Sequence, residues 1–170
     1  MTRLKRFSQS EATEQGLEYY YDDARGNHVI KFFENFLRHS KGRFAGKPFT
    51  LLDWQRDMLE ELFGWARIED GTRRYRMAYI SPAKKSGKST ILAGIGLYLL
   101  VADREPGAEI YSAASDREQA SLVFKEAANM VRASPFLSQR LQVVDSRRTI
   151  AHLASSSFYR VLPADSFRAE

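Results

Sequence analysis

The chain has no cysteine. That excludes a disulfide framework, a thiolate metal site and a cysteine nucleophile, and it suits a reducing compartment. Long hydrophobic runs are also missing. The greasiest stretch, Ile91 to Ala102, covers 12 residues, too few to span a bilayer, and it reads as a buried helix. The basic start Met1-Thr2-Arg3-Leu4-Lys5-Arg6 has no apolar segment behind it, so no secretory signal is visible. His28, His39 and His152 lie far apart without ligand spacing, and no Ser-His-Asp set stands out. Internal repeats and low-complexity segments are lacking too. What is present fits one ordinary core-bearing domain: 170 residues, 44% of them hydrophobic.

A net charge of +5 and a pI near 9.5 give a mild bias towards polyanions. The charge is clustered at Arg3, Lys5 and Arg6, at Arg38 to Lys47, at Arg73, Arg74 and Arg76, and at Arg147 and Arg148. Such runs are read either as solvated faces or as nucleic-acid contacts.

The most informative stretch is Ser81-Pro82-Ala83-Lys84-Lys85-Ser86-Gly87-Lys88-Ser89-Thr90. Tyr75 to Ile80 reads as a strand before it and Gly87 to Leu100 as a helix after it. Strand, loop ending in Gly-Lys-Ser, then helix is the arrangement of a phosphate-binding loop. In such a loop successive backbone N–H groups and the helix N-terminus face the phosphates. Lys88 then reaches the β- and γ-phosphates of ATP, and the Ser89 hydroxyl ligates Mg²⁺. Pro82 stands where the usual pattern begins with Gly. Lys84 and Lys85 add cations beside the triphosphate, one of which can stabilise charge on the γ-phosphoryl group; the alternative is simple counter-charge. The bland reading of the whole stretch is a solvated basic turn capping a helix.

Trp54-Gln55 precedes this strand. A glutamine amide offers a donor and an acceptor together, which matches the N6 and N7 edge of adenine, and Trp54 can stack on the base. Alternatively Trp54 belongs to the core and Gln55 to the surface.

Residues 1–26 read as an arm with a short helix and a turn signal at Asp22 to Gly26. A helix starts from an Asn27 N-cap, with Val29, Ile30, Phe32, Phe33, Phe36 and Leu37 at helical spacing. Ser40 to Pro48 is a basic loop. A second helix starts at an Asp53 N-cap, buries Trp54, Met58, Leu59, Leu62 and Phe63, and ends at Gly64. A tight turn follows at Ile68 to Thr72. Glu109 to Ala114 reads as a strand, and Asp116 caps a helix to about Ala133 with Leu122, Val123, Ala127, Met130 and Val131 inward. Short strands follow around 141–144, 149–153 and 158–162. The alternation implies an α/β fold, a parallel sheet covered by helices in three αβα layers. ATP hydrolysis by P-loop enzymes needs an acid at the end of a second apolar strand. Asp145, after Leu141 to Val144, and Asp165, after Phe158 to Ala164, are the nearest candidates, and neither run is cleanly apolar.

Leu51-Leu52-Asp53-Trp54-Gln55, Leu62-Phe63-Gly64-Trp65, Tyr79 to Thr90 and Ala113 to Ala120 occur in this order, with Phe32-Phe33 to Arg43 ahead of them. As a set, across roughly residues 27–170, they resemble the N-terminal ATPase domain of the large terminase subunit of tailed bacteriophages. The resemblance implies that residues 27–170 form a P-loop ATPase domain, part of an ATP-driven motor that moves double-stranded DNA into a capsid in the cytoplasm of the bacterial host. It also implies a homo-oligomeric ring on the portal protein, with the small terminase subunit as a partner and no membrane. A loop that begins without Gly is usual in that family, so Pro82 and Ala83 fit. Gln55 corresponds to the adenine-contacting glutamine and Lys84 to the loop cation beside the γ-phosphate. The family's acidic Mg²⁺-binding strand and nuclease domain have no counterpart in this sequence, so the expectation is the front portion of such an ATPase. The rival readings are a non-catalytic nucleotide- or DNA-binding remnant and another P-loop enzyme, such as a helicase or small kinase.

Overall fold

The computed structural model describes residues 4–81, 83, 86–113 and 117–162, with the side chains of 117–120 left aside. The chain divides into two compact units. Residues 1–32 and 50–82 belong to the first, and residues 33–49 and 83–170 to the second.

In the first unit, the expected short helix is α1 (Gln9–Glu14). Its capping box is complete: the Ser8 hydroxyl accepts from the Glu11 N–H, and the Glu11 carboxylate accepts from the Ser8 N–H. Strand β1 (Tyr19–Tyr21) pairs antiparallel with β2 (Trp65–Arg67). The helix expected behind an Asn27 N-cap begins five residues earlier, as α2 (Asp23–Phe36). Asp22 is the residue that caps it, accepting from the N–H groups of Ala24 and Arg25 at 2.9 and 3.2 Å. The run Asp22 to Gly26 looked like a turn because aspartates and glycine favour turns. Here the same Asp chemistry starts a helix instead. Its last four residues fall within the second unit.

Helix α3 (Asp53–Gly64) also starts one residue ahead of expectation, with Leu52 at the N-cap and Asp53 in the first turn. It ends at Gly64, as its sequence implied. The tight turn after it is borne out. Gly71 adopts a positive φ of 69°, the Asp70 carboxylate accepts from the Thr72 N–H and hydroxyl, and Ala66 bridges Arg73. The strand expected at 75–80 is not found: no pairing involves these residues among those described. Met77 and Tyr79 are 89% and 94% exposed. An apolar run is a strand only when neighbouring backbone takes its N–H and C=O groups, and periodicity alone cannot supply that neighbour.

In the second unit, α4 (Lys88–Val101) is apolar around most of its circumference and buries Ile91, Ala93, Gly94, Gly96, Leu97, Tyr98 and Leu100. Gly94 seats it closely against the end of α2. A Cβ there would lie 2.6 Å from Phe33 Cζ and 2.9 Å from a Leu37 methyl carbon. Helix α5 (Arg117–Ala133) buries Phe124, Ala127, Ala128 and Val131 at the i, i+3, i+4, i+7 spacing of a helix face. Leu122, expected inward, is 55% exposed, because Phe124 sets the phase of the stripe. The Asp116 cap lies outside the described residues. Ser134 and Pro135 end α5 as expected, and Ser134 then caps the single turn α6 (Pro135–Ser138).

Strands β3 (Glu109–Ser112), β4 (Gln142–Val144), β5 (Thr149–His152) and β6 (Ser157–Val161) match the expected positions. The sheet order is β3-β6-β5-β4. It is mixed rather than wholly parallel: β3 and β6 are parallel, while β4–β5 and β5–β6 are antiparallel. The connections explain this. Each antiparallel pair is joined by one 3₁₀ turn closed by a left-handed residue, Arg148 or Ser156. A parallel crossover needs a dozen residues or more, and only the β3-to-β6 connection, which contains α5, is that long. Tyr159 of β6 is buried beside Gly96 of α4 and Phe124 of α5, and its hydroxyl donates to Ser112 Oγ on β3 at 3.0 Å. Both helices therefore cover the Tyr159 side. The opposite side carries Phe158, Arg160 and the half-exposed Tyr111.

Candidate nucleotide-binding site

The candidate loop runs into α4 through Gly87, whose φ of 82° and ψ of 21° are left-handed. Glycine takes this conformation without the steric cost of a Cβ, and it ends the loop with Lys88 as the first helical residue. Gly87 has no side chain to cap the helix. The first-turn N–H groups and the positive end of the dipole are thus left for another acceptor. Ahead of it, Ser86 Oγ donates to the Ala83 carbonyl at 2.7 Å and tightens the turn. Lys88 and Ser89 are exposed, Thr90 is half-buried, and the Ile91 N–H bonds the Gly87 carbonyl at 3.0 Å, closing the first turn. Pro82, Lys84 and Lys85 lie outside the described residues.

Trp54 and Gln55 occupy the first turn of α3 in the other unit. Trp54 is half-buried, so it keeps part of its ring accessible. Gln55 is not the surface residue of the alternative reading: it is only 4% exposed. Its Oε1 accepts from the Leu52 N–H at 3.0 Å, making it the back-reaching half of a helix cap. That leaves the amide NH₂ and the second lone pair of Oε1 for further partners.

The acids weighed for the metal fare differently. Asp145 follows the edge strand β4, is two-thirds exposed and pairs with Arg132. Asp165 lies outside the described residues. Among the described residues, no group of His, Asp and Glu is arranged to hold a metal. No helix there is long and apolar enough to cross a membrane.

A second constellation escaped the sequence reading. Arg6 donates to Glu60 and Glu61 at 3.2 and 3.1 Å and lies over the Tyr21 ring, 3.8 Å from its centroid. Glu61 also accepts from Trp65 Nε1 at 2.9 Å, and Trp65 meets Tyr21 edge-on. Burial pushes the Tyr21 phenol up to about 12, against the opposing pull of Arg6. The N-terminal segment is therefore stapled to α3. Its signal was the basic cluster around Arg6, which in sequence looked like a solvated arm.

The family model for the ATPase domain of the terminase large subunit matches residues 53–166, two-thirds of the chain. This protein belongs to that family. The large terminase subunit of Enterobacteria phage HK97 is 32% identical over 142 residues, which cover 83% of this chain and 27% of the relative. The crystal structure of the HK97 large terminase superposes with a TM-score of 0.70 at 30% identity, covering 83% of this chain and 28% of that one. The chain thus spans about a quarter of the length of the relative it matches, and its mixed α/β architecture is that of the front portion.

Proposed function

We propose that this chain is a P-loop ATP-binding module of a phage DNA-packaging motor, with residues 27–170 as its ATPase domain. The observation that carries the reading is the left-handed Gly87 immediately before Lys88 at the start of α4, in a chain of the terminase ATPase family. The residues fit a triphosphate. A glycine-ended loop, uncapped helical N–H groups and an exposed lysine form an anion-binding set. In this reading the Lys88 ammonium bonds the β- and γ-phosphates, and the Ser89 hydroxyl ligates Mg²⁺ with Thr90 beside it. Ala83, Ser86 and Gly87 lend backbone to the loop. Pro82, Lys84 and Lys85 complete the loop, and Lys84 offsets charge on the γ-phosphoryl group. Mg²⁺ would supply charge neutralisation between the phosphates.

Gln55 reads the N6 and N7 edge of adenine, its amide NH₂ donating to N7 and the second lone pair of Oε1 accepting from the N6 amine, and Trp54 offers a stacking face. Coupled to hydrolysis within the larger subunit, this module would drive double-stranded DNA into the capsid in the bacterial cytoplasm. Its partners would be the portal protein, the small terminase subunit and further copies of itself in a ring.

The test is calorimetry with Mg²⁺–ATP on the wild type and on Lys88→Ala. Loss of a charge-assisted contact of about 1.5–3 kcal/mol weakens binding by about tenfold or more. Lys88 is exposed at a helix start, so the fold is expected to survive. Equal affinities would overturn the assignment.

A further inference from the structure

We infer that the loop between Arg38 and Pro48 is a contact surface for the phosphate backbone of duplex DNA, with Arg43 and Lys47 as its contacting cations. The inference rests on the packaging reading for the choice of duplex over other polyanions. The charge and the geometry stand independently of it.

No acidic residue occurs between Glu34 and Asp53, while the loop carries Arg38, Lys41, Arg43 and Lys47. The tip is exposed but not slack. Arg38 bridges Pro48, the His39 N–H bonds the Lys47 carbonyl at 3.1 Å, and the Gly46 N–H bonds the His39 carbonyl at 2.8 Å. At its base, Ser40 Oγ donates to the buried Glu126 of α5 at 2.7 Å, and Lys41 pairs with the same carboxylate.

Not all four cations are equivalent. Lys41 is matched by Glu126, and Arg38 donates to the carbonyls of Asn35 and Leu37 at the end of α2. Arg43 and Lys47 instead lie against one face-bearing side chain, the half-exposed Phe44, at 4.7 and 5.8 Å from its ring centroid. A ring organises two cations without neutralising them, which lowers the ordering cost when they meet phosphates. Cations of two other clusters are spent differently: Arg6 pairs with Glu60 and Glu61, and Arg74 lies over Tyr19 and the buried Trp65. Among the described residues, Arg43 and Lys47 are exposed cations ordered against an aromatic ring rather than a carboxylate.

Backbone contacts release counterions, so affinity falls steeply with salt and the slope counts the contacts. The experiment is fluorescence anisotropy of a short labelled duplex of arbitrary sequence, titrated with the full chain between about 50 and 200 mM salt. Arg43→Ala/Lys47→Ala is compared with the control pair Lys31→Ala/Lys125→Ala, which removes equal charge from exposed helical positions. The loop variant is expected to flatten the log–log salt slope by about two and to weaken binding at low salt at least several-fold. The control pair should do neither. Each variant is also titrated with Mg²⁺–ATP: unchanged nucleotide affinity certifies the fold and keeps this inference separable from the nucleotide assignment. Single variants, each flattening the slope by about one, are the second arm. Equal slopes for loop variant, control pair and wild type would overturn the inference, as would a wild type with no affinity for duplex.

Discussion

Gln55 Oε1 accepts the Leu52 N–H at 3.0 Å, so the residue matched to adenine also caps its own helix. Half of its amide is committed to the fold before any ligand arrives. The two roles separate by chemistry. Gln55→Glu keeps the acceptor and loses the donor, whereas Gln55→Ala loses both. Gln55→Ala should cost about 1 kcal/mol of stability and narrow any preference for ATP over GTP. Gln55→Glu should weaken binding of both nucleotides, because N7 accepts in either purine, while keeping the preference for the adenine N6 amine and holding the melting temperature closer to wild type. Thermal melts paired with competitive nucleotide titrations check both. An Ala variant that keeps full ATP preference would confine Gln55 to capping.

The Tyr21 ring sits against two glycines, and the contacts differ in kind. A Cβ on Gly26 would lie 2.6 Å from the Tyr21 hydroxyl oxygen, with Cζ next at 3.4 Å. A Cβ on Gly64 would meet the ring itself, at 2.7 Å from Cζ. Trp65 abuts the ring edge-on and restricts its retreat. Either Gly→Ala change should cost about 1–3 kcal/mol by overpacking. Tyr21→Phe should rescue much of Gly26→Ala and little of Gly64→Ala, a coupling that a double-mutant cycle in urea resolves.

Alkaline stability should report the same ring. Burial raises the Tyr21 phenol to about 12 from an ordinary value near 10. Above pH 10 the unfolded chain releases a proton that the folded chain retains, so stability falls as pH rises. This contribution is whole below about 10 and is lost through about 12. Tyr159, raised by burial against the lowering effect of its bond to Ser112, acts in the same direction. Stability measured from pH 8 to 12 should decline less steeply in Tyr21→Phe than in the wild type. Parallel curves would mean that the phenol is not desolvated.

Asp145 is placed for an ion pair rather than for a metal, on a sheet edge beside Arg132. Asp145→Asn is expected to leave Mg²⁺–ATP affinity and any phosphate release unchanged. A collapse of turnover with retained nucleotide binding would make Asp145 the metal-binding acid after all.

Much of this protein was legible from local chemistry. Gly87-Lys88-Ser89 marks a helix start because a glycine can turn left-handed there and a lysine can follow it. The strands near 110, 143, 150 and 159 and the long helix ending at Ser134-Pro135 follow from β-branched runs and a proline stop. The terminase resemblance rested on those same motifs in order. Local chemistry failed where the outcome depends on what lies opposite. Residues 75–80 have strand composition but no paired backbone among the described residues, and Leu122 lost the inward position to Phe124. The tertiary structure also decided strand direction, through the short 3₁₀ connections, and it turned Arg6 from a solvated arm into the staple between Glu60, Glu61 and Tyr21. Propensity and motif act over a few neighbouring residues, whereas pairing, phase and burial are set by residues distant in sequence, and only the folded chain brings those together.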